Sequence, residues 1–202
     1  MAARYAARGN DALVCRYARS PEAAARLMMF FRIGEEKTMA TKPSWQGRVF
    51  EDFEVGDVYE HPLGRTVTQA DNIWFTLLTV NTNPIHFDSH YAAHTEFGRP
   101  LVDSTFTLAL VTGLSVSDVS LNAINLGWES VKLPAPVFEG DTIYAQSEIL
   151  EKRESRSRAN MGIVRFRTVG MNQRGETVIE FIRTIMVYKK GHAPRGFRPR
   201  AT

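Results

Sequence analysis

Residues 101–114, Leu-Val-Asp-Ser-Thr-Phe-Thr-Leu-Ala-Leu-Val-Thr-Gly-Leu, constrain the fold most. After a polar first turn the stretch is apolar on nearly every side, so as a helix it must be buried in something larger than itself. Beyond Asp118 the pattern changes to period two. It includes Val131-Lys132-Leu133, then residues 142–151, where Ile143, Ala145, Ser147 and Ile149 fall on one side and Tyr144, Gln146, Glu148 and Leu150 on the other. Two further strands, 163–169 and 177–187, are joined by Asn172-Gln173-Arg174-Gly175-Glu176, a hairpin loop with its glycine. Helices first and an antiparallel meander afterwards predict an α+β fold, with the sheet wrapped around the buried helix.

Upstream, residues 50–57 and 65–68 read as short extended pieces around turns. Thr68 with Asp71 resembles a capping box that opens a helix. Trp74, Leu78 and Asn81 then fall at i, i+4 and i+7, which predicts a buried stripe ending just before Pro84 turns the chain. Asp88 is expected to cap a second short helix over 89–97, closed by Gly98 and Pro100.

A chain of 202 residues with 44% hydrophobic and 23% charged residues has room for one domain with a sizeable core. The single Cys15 excludes an internal disulfide framework and a Cys-rich zinc site, and it fits a reducing compartment, so a cytoplasmic protein is expected. The net charge of +3 sits in the ends: seven Lys/Arg against four Asp/Glu over 1–41, and five against none over 189–202. The middle, 42–188, is acidic, 13 against 18, and is no platform for nucleic acid. No stretch approaches the ~20 apolar residues of a membrane span. The expected organisation is a poorly ordered N-terminal extension over 1–41, one domain over 42–190 and a basic tail over 191–202. Within the extension, Ser20 could cap a short helix over 21–27. Its Arg-rich composition also fits a transit peptide, and Met39 would make an equally sensible start of translation.

Between the first helix and the second lies Asn81-Thr82-Asn83-Pro84-Ile85-His86-Phe87-Asp88. Two amides, a proline turn and a histidine have the look of a site. Imidazole titrates near neutrality, which suits His86 to taking and giving a proton. Asn83 is expected to orient rather than to react, because an amide does not exchange protons usefully at neutral pH. His86, His90 and His94 raise a metal reading, but only His90 and His94 share a helical face and no third ligand is evident, so no metal is expected.

These residues also carry a family resemblance. Asn81 to His86, preceded by a capped helix, is similar to the hydratase motif Asp-x-Asn-Pro-hydrophobic-His of the MaoC-like, R-specific enoyl-CoA hydratase family. The run Phe97-Gly98-Arg99-Pro100-Leu101-Val102-Asp103-Ser104 resembles the segment leading into the central helix of that family's hot-dog fold. Leu133-Pro134-Ala135-Pro136-Val137-Phe138-Glu139-Gly140-Asp141 resembles its Pro-Val-x-x-Gly-Asp strand-turn. The resemblance covers roughly residues 45–190 and implies a hot-dog fold and a lyase acting on an acyl-CoA thioester, hydrating a trans-2-enoyl-CoA or running in reverse. It implies no cofactor, since CoA belongs to the substrate.

Carried over residue by residue, the resemblance makes His86 the proton carrier and the backbone N–H of Ser104 the donor to the developing enolate oxygen, at a helix start where orphan amides favour negative charge. The family usually has glycine at the Ser104 position. Asn81 stands where the family has its aspartate, and it cannot be a base. Either His86 serves alone while Asn81 positions water, or another carboxylate has moved in. Asp103 is the candidate, because the family commonly has histidine there. Equally, Asp103 could merely cap the central helix.

The same stretches are similar to a branch associated with itaconyl-CoA or mesaconyl-CoA. There Arg99 could hold a substrate carboxylate through its bidentate geometry, or lie in the turn as a surface residue. Asn83, Ser104 and Arg99 are therefore the expected substrate contacts. The alternatives are an accessory protein that binds acyl-CoA without turning it over, or an acyl-CoA thioesterase. No carboxylate follows Phe106 on the central helix, which counts against the thioesterase. One hot-dog unit leaves sheet edges and a helix face open, so a homodimer or larger homo-oligomer is expected.

Overall fold

The computed structural model describes residues 44–194, together with Glu22 and Lys42. Apart from Glu22, the expected helix over 21–27 lies outside the described residues, as do most of the N-terminal extension and the tail beyond 194. The chain divides into two units, 1–44 and 45–202, and the elements below belong to the second.

Six strands form the sheet: β1 (Val58–Glu60), β2 (Arg65–Thr66), β3 (Ala123–Lys132), β4 (Thr142–Glu154), β5 (Met161–Met171) and β6 (Thr177–Tyr188). Their order is β1-β4-β5-β6-β3 with every pair antiparallel, and β2 pairs with β4. The α+β expectation holds. On β4 the predicted alternation is realised, with Ile143, Ala145, Ser147 and Ile149 buried. β5 and β6 are joined by the expected turn, in which Gly175 adopts φ 76° and donates its N–H to the Asn172 carbonyl at 2.9 Å. Phe166 and Phe181 are fully buried on these strands, each stabilising the fold by roughly 1.5–3 kcal/mol.

The central helix is Ser104–Leu114, with Asp103 as its N-cap. It buries Thr107 and Val111, and Val111 belongs to the core cluster with Val137, Ile143 and Phe181. Complete burial was expected of it, and here one chain does less. Thr105, Ala109 and Gly113 are exposed, because a single sheet layer covers only one side of a helix.

The first helix, Gln69–Thr79, starts from the predicted capping box: Asp71 donates its N–H to Thr68 Oγ1 at 3.3 Å, and Thr68 donates its N–H to Asp71 Oδ2 at 2.8 Å. The stripe of Trp74, Leu78 and Asn81 is not buried. Trp74 is 66% exposed and Leu78 79%. The buried face carries Asn72 and Thr76, whose polar groups all find partners inside. The helix ends at Val80, at φ 57°, so Asn81 lies beyond it, half-buried, with its N–H donated to the Thr76 carbonyl at 2.9 Å.

The second helix is shorter than predicted, Ser89–Ala92, although Asp88 caps it by accepting the Tyr91 N–H at 2.9 Å. His94 and Thr95 donate to Tyr91 and Ala92, three residues back, and Thr95 Oγ1 donates to the Ala92 carbonyl, so the chain tightens into turns before 97. Residues 50–52 form a 3-10 turn rather than an extended piece, because Asp52 Oδ2 accepts the Val49 N–H at 2.8 Å.

At the other end of the central helix a buried cluster appears that sequence patterning does not reveal. His61 Nδ1 lies 3.0 Å from Asp118 Oδ2, and its Nε2 lies 2.9 Å from Ser147 Oγ, which meets Thr168 Oγ1 at 2.8 Å. The trio of types matches a hydrolase triad, but Ser147 is fully buried in the sheet and reaches no solvent. It pins the turn after the central helix to β4 and β5. Among the described residues no helix is long and apolar enough to cross a membrane.

Candidate active site

Asn83, Pro84, Ile85 and His86 form a single 3-10 turn. Asn83 Oδ1 accepts the Ile85 N–H at 3.3 Å and Pro84 supplies a fixed φ where no N–H is needed. The Leu101 N–H donates to the Ile85 carbonyl at 3.0 Å, which lays the chain entering the central helix beside this turn. His86 Nδ1 then lies 2.8 Å from the Leu101 carbonyl oxygen. A carbonyl only accepts, so Nδ1 carries the proton. Nε2 has no partner among the described residues, on a ring that is half-buried.

Asp103 is 2% exposed and fully engaged. Its Oδ1 accepts the Thr105 N–H at 2.7 Å, the Thr105 hydroxyl at 2.5 Å and the Phe106 N–H at 3.2 Å, while Oδ2 accepts Asn81 Nδ2 at 2.5 Å. Burial works against the charged form. The hydrogen bonds from the Thr105 hydroxyl, the Asn81 amide and the Phe106 and Thr105 N–H groups outweigh it and hold the carboxyl below its ordinary value. Asp103 is thus a helix cap and a partner for Asn81, with both carboxylate oxygens already accepting hydrogen bonds. Asn81 in turn accepts the Asn83 N–H on Oδ1 at 3.1 Å. One N–H and one lone pair of its amide remain for a water.

Asn72, a residue the motif reading passed over, joins these parts. Its Nδ2 donates to the His86 carbonyl at 2.8 Å and to the Leu101 carbonyl at 3.0 Å, and its Oδ1 accepts the Asp103 N–H at 2.9 Å. The available signal was an amide and a hydroxyl, Asn72 and Thr76, four apart on one face of the helix.

Asn81, Asn83, His86 and Asp103 are therefore brought together, with Ser104 next in the chain. Ser104 is the first residue of the central helix, and its N–H has no acceptor among the described residues. Ser104 lines a groove of about 250 Å³ with Phe97, Leu101, Thr107 and Pro134, whereas Asn81 lines one of about 410 Å³ with Ile73, Leu77, Val80 and Phe87. Arg99 is exposed and makes no ion pair among the described residues. Its guanidinium stacks 3.9 Å over the Phe138 ring, which in turn packs on Phe97. His90 and His94 lie ring to ring at 4.8 Å, with His94 Nδ1 donating to the His90 carbonyl, and no group of three metal-binding side chains gathers among the described residues.

An antiparallel sheet laid against one central helix defines a hot-dog protein, and here a histidine turn lies beside the N-terminus of that helix. The chain matches the family model for the MaoC like domain over residues 51–171, and it belongs to the MaoC-like family. It is 34% identical to mesaconyl-CoA hydratase of Cereibacter sphaeroides over 148 residues, 73% of this chain and 43% of that protein. It is 31% identical to (R)-specific enoyl-CoA hydratase of Aeromonas caviae over 112 residues, 55% of this chain and 81% of that one. Among solved structures, a MaoC domain protein dehydratase of Chloroflexus aurantiacus superposes with TM-score 0.70 at 32% identity, over 80% of this chain and 47% of that chain. A Mycobacterium tuberculosis protein with a double hotdog fold superposes with TM-score 0.67 at 21% identity, over 75% and 47%, and bears on the fold alone. The chain spans about two-fifths of the length of the first curated relatives it matches.

Proposed function

We propose that the protein is an acyl-CoA hydratase or dehydratase, adding water across the double bond of an enoyl-CoA thioester. The observation that carries this reading is the His86 ring, held by its Nδ1–H on the Leu101 carbonyl so that Nε2 is presented as a free base. Nε2 takes a proton from a water held by the spare N–H and lone pair of Asn81. The oxygen bonds to C3 of the enoyl group while the double-bond electrons move to the thioester oxygen. That oxyanion is met by the Ser104 N–H at the positive end of the central helix. Collapse of the enolate draws the proton from His86 onto C2, and the catalyst is restored. Asp103 keeps Asn81 oriented and stays charged throughout.

The substrate class proposed is a branched dicarboxylic enoyl-CoA such as mesaconyl-CoA or itaconyl-CoA. Two things support it: similarity to a mesaconyl-CoA hydratase, and a guanidinium at Arg99 with no acid partner among the described residues, stacked on Phe138, whose neighbour Phe97 lines the Ser104 groove. The working unit is taken to pair two hot-dog folds, as a homodimer or larger homo-oligomer. The exposed Trp74, Leu77, Leu78 and Val80, the exposed Leu126 and Trp128 on edge strand β3, and the open side of the central helix support that pairing.

Following the enoyl absorbance with mesaconyl-CoA, itaconyl-CoA and crotonyl-CoA tests the reading. Turnover of a dicarboxylic ester is expected to exceed that of crotonyl-CoA. Preference for crotonyl-CoA would overturn the substrate class, and tight binding of all three without turnover would overturn the activity.

A further inference from the structure

We infer that Asn72 is a positioning residue: it fixes the ring of His86 and ties that ring to the start of the central helix. The inference rests on the hydratase reading for its kinetic consequence, though not for its structural one. Asn72 is 4% exposed, and its side-chain amide spends both donors and its acceptor on backbone groups of the site. The orientation of the amide is unambiguous, because a carbonyl faces each Nδ2 hydrogen and an N–H faces Oδ1.

Its two donors act on one histidine. The first holds the His86 main-chain carbonyl at 2.8 Å, so the turn cannot slide along the helix. The second, at 3.0 Å, goes to the Leu101 carbonyl, which also accepts His86 Nδ1 at 2.8 Å. One oxygen with two lone pairs therefore takes two donors, and the amide sets the direction in which the remaining lone pair meets the imidazole. Through Oδ1 the same side chain holds the N–H of Asp103, the residue whose carboxylate orients Asn81 and caps the helix that begins at Ser104. The base, the water-holding amide and the oxyanion donor thus share one anchor on a different helix, although Asn72 itself touches none of the reacting atoms. A misplacement of about 1 Å in such a frame can cost on the order of a hundredfold in rate.

The replacement Asn72→Asp keeps size and the acceptor for Asp103 but turns both donors into an oxygen facing two carbonyls. Asn72→Ser, smaller and able to hold a water, serves as a second variant. Thr168→Val removes a buried hydroxyl far from the site and reports what loss of a buried hydrogen bond does in general. The experiment reads the ring ¹⁵N resonances of His86 by NMR and, on the same proteins, kcat and KM for mesaconyl-CoA and crotonyl-CoA.

The wild type and Thr168→Val are expected to hold the Nδ1–H tautomer. Both Asn72 variants are expected to show a mixture with the Nε2–H form, and kcat lower by roughly 10- to 100-fold with KM within about threefold. If either Asn72 variant is folded and keeps the wild-type tautomer and kcat, the inference is wrong. A wild type that hydrates neither ester would sink the hydratase reading, and the tautomer comparison would still decide the role of Asn72.

Discussion

Asn81 donates through Nδ2 to Oδ2 of Asp103 at 2.5 Å, across 22 residues of sequence. The contact sets a carboxylate, at the cap of the central helix, against the amide at position 81. Since four donors already surround that carboxylate, the proposed mechanism gives the work of moving protons to His86.

The replacement Asp103→Asn separates this account from one in which Asp103 is the base. Asparagine can still cap the helix, but its own N–H group would face Asn81 Nδ2. We expect a stability loss of about 1.5–3 kcal/mol, the worth of a charge-assisted hydrogen bond, and a fall in kcat of roughly tenfold, measured by urea unfolding and the hydration assay. Loss of a general base would instead remove on the order of 10²–10⁴ in kcat.

Exchanging both ends, Asn81→Asp with Asp103→Asn, re-forms an acid–amide pair in the opposite sense. The double variant is expected to recover stability relative to Asp103→Asn alone, with a coupling energy of about 0.5–3 kcal/mol. Additive effects in the double-mutant cycle would mean that the 2.5 Å contact carries no energy of its own.

Acid should unfold the protein through a small set of carboxylates. In Asp71, Asp103 and Asp141 burial opposes the charge, and hydrogen bonds outweigh it: from Thr68 at Asp71, from Thr105 and Asn81 at Asp103, from the Phe138 N–H and Gln173 at Asp141. Each folded value lies below the ordinary 3.8. Their stabilisation is complete above that value and disappears as pH falls below it through the folded value. Thermal melts from pH 6 to pH 2 should show the midpoint falling mainly below about pH 4, with a shallower fall in Asp103→Asn.

At Arg99, replacement by Ala should act on substrate choice rather than on chemistry. The stack on Phe138 is worth about 0.5–1 kcal/mol at an exposed site, so the melting point should change little. Steady-state kinetics should give a kcat/KM for mesaconyl-CoA lower by about tenfold, the worth of one charged hydrogen bond, and little change for crotonyl-CoA. An equal loss with both esters would remove Arg99 from carboxylate recognition.

The helix caps and strands were legible in the sequence because they are local. Thr68 and Asp71 are three residues apart, Asp103 sits one residue before its helix, and the alternation on β4 is a property of consecutive residues. The stripe of Trp74 and Leu78 misled for a physical reason: periodicity says which side chains share a face, and not which face its own chain covers. Asn72 was missed because its partners lie 14, 29 and 31 residues away, and His61 because its partners lie 57 and 86 away. In the same way the sequence placed Asn81 and Asp103 in one site without revealing that they bond to each other.

The most direct measurement compares the wild type and His86→Ala in hydration of mesaconyl-CoA, followed by loss of enoyl absorbance, with melting curves run alongside. The account predicts turnover by the wild type and a drop in kcat of about 10²–10⁴ in the variant, with a stability change near 1 kcal/mol for the single hydrogen bond lost. A folded His86→Ala protein that hydrates the ester at the wild-type rate would contradict it.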